Sequence, residues 1–166
     1  AGPVLYMAHR LGIPIVVQEQ NAFPGMTNKI LGKYAKAIHI AFPEVKAYFD
    51  AERCILSGNP TRAALLTQGG AEAYTHFGFP EDADVLLIFG GSLGSKAINA
   101  AMEHMLDRLL QETNLYILWQ TGSLYYEKLS ARIQGHTRLK MVQFIDRMDY
   151  AYNVAQLVIA RAGAIT

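Results

Sequence analysis

A chain of 166 residues holds one full core or parts of two, since domains commonly run to about 150 residues. Hydrophobic residues make up 51% and charged residues 17%, which excludes a disordered tail. Fifteen basic against 14 acidic side chains leave a net charge of +1, with no polybasic field to attract nucleic acid, and the single cysteine, Cys54, excludes an internal disulfide and suits a reducing cytosol.

Short apolar runs alternate with amphipathic stretches from end to end. Strands are expected at 13–18, 37–41, 54–57, 85–89, 115–119, 139–144 and 157–160, where the residues are mostly β-branched or aliphatic, the pattern of buried parallel strands. Helices are expected near 3–12, 26–36, 44–50, 69–77, 95–112, 123–134 and 148–155. In the fifth, Ile98, Ala101, Met102, Met105, Leu106, Leu109 and Leu110 follow the i, i+3, i+4, i+7 rule and predict one apolar stripe against a sheet. Strand–helix alternation predicts βαβ units and a doubly wound α/β architecture. Gly58-Asn59-Pro60 and Gln68-Gly69-Gly70 interrupt the pattern and suggest a boundary between two Rossmann-like lobes. The chain opens at Ala1-Gly2-Pro3 and closes at Thr166, where a helix should begin, so an internal fragment with both lobes incomplete is expected. No signal peptide and no apolar run of about 18 residues predicts a membrane span.

The strongest chemical signal is Val85 to Lys96. A buried strand runs into Gly90-Gly91-Ser92-Leu93-Gly94, and the long helix starts at Ser95. Glycines let a ligand approach the backbone, helix-start N–H groups attract anions, and Ser92 adds a hydroxyl donor. The turn lacks the Gly-Lys-Ser/Thr of a Walker A loop and the full G-x-G-x-x-G of dinucleotide folds. A tight turn without ligand is the bland alternative. Arg161 to Thr166 forms a second turn of this kind, and two such helix starts at neighbouring strand ends would make a diphosphate cradle without metal.

Other segments are less specific. Arg62 follows Gly58-Asn59-Pro60-Thr61 and is either a phosphate or base partner or a surface arginine. Backbone at Ile145 can read a nucleobase edge, while Phe144 is expected simply to pack. Gln18-Glu19-Gln20-Asn21 and Thr27-Asn28-Lys29 suit sugar hydroxyls, although capping explains them nearly as well. The histidines His9, His39, His76, His104 and His136 are dispersed without metal-ligand spacing, Cys54 is expected to be inert core, and no Ser/His/Asp arrangement is evident.

In one order, Gln18-Glu19-Gln20-Asn21, Pro24 to Lys29, Gly58 to Arg62, Gly90 to Gly94, Phe144-Ile145-Asp146 and Arg161 to Thr166 closely resemble the MurG family, the peptidoglycan glycosyltransferases of bacteria. The resemblance implies a GT-B fold of two Rossmann-like lobes facing across a cleft. Residues 1–61 would be the second half of the N-terminal acceptor lobe, and 62–166 the first part of the C-terminal UDP-GlcNAc lobe. It implies an inverting transfer of N-acetylglucosamine from UDP-GlcNAc to lipid I, giving lipid II. By position, Asn21 matches a donor-sugar contact and Arg62 a donor-binding arginine. Ser92 matches the phosphate-side serine, and Ile145 the residue whose backbone reads uracil. Ala164, Ile165 and Thr166 match the helix start facing the diphosphate. The histidine proposed as general base would precede Ala1. No cofactor or metal is implied; the partners are UDP-GlcNAc, lipid I and the cytoplasmic membrane surface. The implied location is cytoplasmic, peripheral on the inner membrane. A UDP-GlcNAc 2-epimerase of the same fold, a dinucleotide-dependent dehydrogenase and a non-catalytic nucleotide-binding module are the alternatives.

Overall fold

A computed structural model describes residues 2–61, 70–133 and 135–163. The chain separates into two compact units, residues up to Thr61 in one and residues 70–162 in the other.

The first unit runs α1 (Gly2–Arg10), β1 (Val16–Glu19), α2 (Met26–Gly32), β2 (Ala37–Ile40), two 3-10 turns (Pro43–Tyr48 and Ala51–Arg53) and β3 (Cys54–Leu56). The strands pair in parallel in the order β1-β2-β3. Ile15, Val17, Leu31, Ile38, Ile40 and Val45 form its core. The helix expected over 26–36 stops at Gly32, on which the Phe49 ring lies so closely that a Cβ would meet it at 2.6 Å. The segment expected as a helix at 44–50 is the first 3-10 turn. Cys54 is half-buried and donates its thiol to the Asp50 carbonyl, so it is an edge residue rather than full core.

The second unit contains α3 (Ala71–Phe77), β4 (Val85–Phe89), α4 (Lys96–Glu112), β5 (Tyr116–Gln120), α5 (Tyr126–Arg132), β6 (Leu139–Val142), α6 (Met148–Val154) and β7 (Ala155–Ala160). Its four parallel strands lie in the order β6-β5-β4-β7. β4 is central and buried on both faces. Val85 and Leu87 point into a cluster with Phe77, Phe79, Leu118, Ile145 and Val154. Leu86 and Ile88 point into the opposite cluster with Met102, Leu106, Ile117, Trp119 and Leu129. This two-sided burial explains why β4 reads as an unbroken apolar run. It is the doubly wound arrangement that the alternation predicts. β7 gains one extra residue against β4 between the Ala155 and Leu157 pairings, and the Gln156 side chain accepts the Val85 N–H there.

The stripe on α4 differs from its expectation. Asn99, Met102, Leu106 and Leu110 are the buried residues, whereas Met105 is exposed and Ala101 faces outward with it. Asn99 takes an inward place because it has polar partners there: its Nδ2 donates to the Thr121 carbonyl at 2.8 Å, and its Oδ1 accepts from the Trp119 indole at 3.1 Å. At the other end of α4, the Arg138 guanidinium donates to the carbonyls of Leu110, Thr113 and Leu115, offsetting the negative end of the helix dipole.

Removing the fully buried Leu87 side chain (Leu87→Ala) is expected to cost about 2–5 kcal/mol. Met105→Ala, at a position 49% exposed, should stay within about 0.5 kcal/mol despite its place in the sequence periodicity. Denaturant midpoints of the two variants check both values.

Candidate nucleotide-diphosphate site

In an open parallel sheet, ligands are received at the carboxyl ends of strands where the order reverses. Here the chain goes from β4 outward through β5 to β6, then returns to the other side of β4 as β7. The reversal therefore lies between β4 and β7, whose last residues, Phe89 and Ala160, are paired. The Gly90–Gly94 turn leaves β4 at this point, and Arg161 and Ala162 leave β7. Two motifs that are 71 residues apart in sequence, Gly90 and Arg161 at their starts, thus exit side by side.

The Gly90–Gly94 turn is shaped by close backbone approaches. A Cβ on Gly90 would lie 2.5 Å from the Ser95 Cβ. Gly94 has φ +86, and a Cβ there would meet the Thr121 carbonyl oxygen at 2.1 Å; Gly122, with φ +84, would meet the Gly94 nitrogen at 2.1 Å. The turn after β4 is therefore pressed on the turn after β5. The Ser123 N–H also donates to the Ser92 carbonyl at 3.3 Å, and Ser92 itself is exposed. Behind the turn, Ser95 caps α4 by position without a side-chain bond, and the first helical turn holds no acidic residue. Its N–H groups and the Lys96 charge leave this helix start electropositive.

Gln120, the last residue of β5, is 2% exposed. Its Nε2 donates to the Gly91 carbonyl at 3.0 Å, and its Oε1 accepts the Ile145 N–H at 2.8 Å. Ile145 is buried in the core while Phe144 is 60% exposed, the reverse of the expectation that Phe144 packs. Capture of the Ile145 N–H by Gln120 accounts for this, since it fixes the backbone with Ile145 facing inward. The Ile145 N–H is thereby engaged. Just beyond, Arg147 binds Asp149 at 2.6 Å and stacks over the Tyr150 ring at 3.5 Å, anchoring the start of α6.

In the first unit, the polar cluster at the carboxyl end of β1 is organised by Glu19. This carboxylate is 2% exposed. Its Oε1 accepts from the main-chain and side-chain N–H groups of Asn21, and its Oε2 accepts from the Gly25 N–H and the Asn28 amide. Burial pushes the Glu19 pKa up, but the bonds from Asn21, Asn28 and Gly25 outweigh it and hold the carboxyl below its ordinary value. Glu19 is thus consumed internally rather than offered to a sugar. Asn21 is exposed, and among the described residues its Oδ1 accepts no hydrogen bond. Gln18 reaches the Gly58 carbonyl and Asn59 the Gln20 carbonyl, so the Gly58-Asn59 segment is tied to the same sheet edge.

Asn21, Ser92 and Ile145 are thus placed, each at the carboxyl edge of its own sheet; Arg62, Ala164, Ile165 and Thr166 lie outside the described residues. Gln120, Asn99 and Gly122 were not marked by sequence reasoning. The signal was a polar residue closing an apolar run at Gln120, and a second glycine at a strand exit at Gly122. Among the described residues, no cluster of three or more His, Cys, Asp and Glu side chains can hold a metal ion, and no helix is long and apolar enough to cross a membrane.

A doubly wound parallel sheet with a glycine-rich, electropositive turn at its point of reversal defines the open α/β class of protein, in which ligands are received at such a turn. Comparison with known proteins narrows that class. Residues 85–166 match the glycosyltransferase family 28 C-terminal domain, and residues 1–40 match the glycosyltransferase family 28 N-terminal domain. The chain belongs to glycosyltransferase family 28. It is 48% identical over its whole length to a Salinibacter ruber protein named UDP-N-acetylglucosamine--N-acetylmuramyl-(pentapeptide) pyrophosphoryl-undecaprenol N-acetylglucosamine transferase, covering 45% of it. A Flavobacterium psychrophilum protein of the same name is 41% identical over 99% of the chain, which again covers 45% of that protein. The chain therefore spans about 45% of the length of the curated relatives it matches. The crystal structure of Acinetobacter baumannii MurG superposes with a TM-score of 0.64 at 34% identity, over 99% of this chain and 44% of that one. A putative UDP-N-acetylglucosamine 2-epimerase from Listeria monocytogenes reaches a TM-score of 0.63 at 14% identity, over 96% of this chain and 48% of that one, which is a likeness of fold alone.

Glu19 supplies a pH test. Its folded pKa is depressed, so its contribution to stability is complete above the ordinary carboxyl value of the unfolded chain and is lost as pH falls from there through the lower folded value. Glu19→Gln should destabilise the first unit by about 1–3 kcal/mol at neutral pH and flatten this acid limb, as read by thermal unfolding between neutral and acid pH.

Proposed function

We propose that the full-length protein transfers N-acetylglucosamine from UDP-GlcNAc to lipid I, forming lipid II at the cytoplasmic face of the plasma membrane. The observation that carries this reading is the pairing of Phe89 with Ala160, which sets the Ser92 turn beside the exit of β7 at the reversal point of a family 28 fold. The transferase names of the relatives at 41–48% identity support the substrates. In this reading residues 1–61 belong to an acceptor-binding lobe and 62–166 to the UDP-GlcNAc lobe.

The chemistry asked of this chain is leaving-group stabilisation. As the acceptor C4 hydroxyl attacks the anomeric carbon, its proton passes to a base and a new C–O bond forms. The bond from that carbon to the β-phosphate oxygen breaks, and the electron pair stays on UDP. The N–H groups at the start of α4 and the Ser92 hydroxyl are suited to that growing negative charge. Arg62, Ala164, Ile165 and Thr166 are assigned to the same donor. The Ile145 main chain is assigned to the uracil through its carbonyl, since its N–H is held by Gln120. Asn21, held by Glu19 with its Oδ1 outward, is assigned to the donor sugar.

Loss of one hydrogen bond to a charged group is worth about 1.5–3 kcal/mol. Ser92→Ala and Arg62→Ala in the full-length protein are therefore expected to lower kcat/KM for UDP-GlcNAc by about ten- to a hundredfold. Unaltered kinetics in both would remove these assignments. Incubation with UDP-GlcNAc alone should yield no epimerised sugar; its appearance would favour the epimerase.

A further inference from the structure

The Gly90–Gly94 turn and the Ile145 segment leave strands that are not neighbours. β5 lies between β4 and β6, so their exits are separated by two strand spacings, about 10 Å. Gln120 closes β5 in the last paired row, opposite Phe89 on one side and Val142 on the other. Its side chain spans this gap, donating to Gly91 and accepting from Ile145. The Gly91 carbonyl can only accept and the Ile145 N–H can only donate, so both ends of the amide are assigned by their partners. At 2% exposure there is no water to replace either bond cheaply.

We infer that Gln120 is a positioning residue for the donor, fixing the separation between the diphosphate-side turn at Gly91-Ser92 and the base-side segment at Ile145. The inference rests on the reading of this unit as a UDP-sugar site. It goes further in that β5, which lends no residue to that reading, sets the span between phosphate and base that the ligand must match. The amide donates and accepts in one plane from its two terminal atoms. Methionine keeps the shape and loses both bonds. Glutamate keeps the acceptor for Ile145 but turns an oxygen toward the Gly91 oxygen. Protonated, it again has a donor for Gly91, and burial raises the pKa of such a carboxyl into an accessible range.

The test uses the full-length protein with UDP-GlcNAc and lipid I as substrates, together with UDP binding by calorimetry. In Gln120→Met, the KM for UDP-GlcNAc should rise at least tenfold and UDP affinity fall in step, with the acceptor KM and the kcat at saturating donor within about twofold of wild type. In Gln120→Glu, the donor KM should be raised at alkaline pH and recover toward wild type as pH falls, a recovery that wild type and Gln120→Met lack. Should Gln120→Met not fold, the pH profile of Gln120→Glu decides alone. A donor KM and UDP affinity equal to wild type, or a drop confined to kcat or to the active fraction, would overturn the positioning role. Wild-type protein that binds no UDP would instead overturn the donor-site reading and the inference with it.

Discussion

The parallel pairing of β4 with both β5 and β7 is the constraint from which the candidate site follows. Because β5 and β7 lie on opposite sides of β4, the carboxyl end of β4 is the place where the chain diverges and leaves room. Burial of β4 on both faces, with Val85 and Leu87 on one side and Leu86 and Ile88 on the other, holds that end in place. The glycine turn and the exit of β7 are then neighbours by hydrogen-bond register, whatever their distance in sequence. Little has to be added for anion binding beyond a helix start free of acidic side chains, and α4 has one.

The polar residues that hold these segments are themselves buried, and each has a hydrogen-bond partner at both of its side-chain polar atoms. Gln120 bonds to main-chain groups, while Asn99 and Glu19 divide their bonds equally between main-chain and side-chain partners. Burying such groups is tolerable only when every donor and acceptor is met, and a partly satisfied network would be worse than an apolar core. This is why the two units combine small apolar cores with well-defined loops at their carboxyl edges. Glu19 shows the same economy in the first unit, where one carboxylate orders the chain from Asn21 to Asn28.

Much of the architecture was legible from periodicity. All seven strands were expected within a few residues, because each leaves a short apolar run. The burial expected with it holds for the central strands and not for β3 and β7, whose edge positions leave Ile55, Leu56, Leu157, Val158 and Ile159 exposed. The Ser92 turn was legible because glycines cluster where main chain is approached closely. What periodicity misses is the exception that hydrogen bonding permits. Asn99 faces inward on α4 and Met105 outward, since Trp119 and Thr121 offer Asn99 partners that no count of apolar residues reveals. Gln120 marks the close of an apolar run, but its role was not legible for a similar reason: the expected strand ended one residue earlier, at Trp119, and only the ladder shows Gln120 between two exits. Glu19 was read among sugar-facing groups, although alternation with Val17 already placed it on the inner face of β1.

The contact between Gly94 and Gly122 carries an evolutionary consequence. Each glycine is hemmed in by the other turn's main chain and holds a left-handed φ. A side chain at either site would collide with atoms common to all residues, so no altered side chain elsewhere can act as a suppressor and make room. Drift at these two positions is closed unless both turns change path together, and the phosphate-side loop cannot be remodelled independently of the strand beside it.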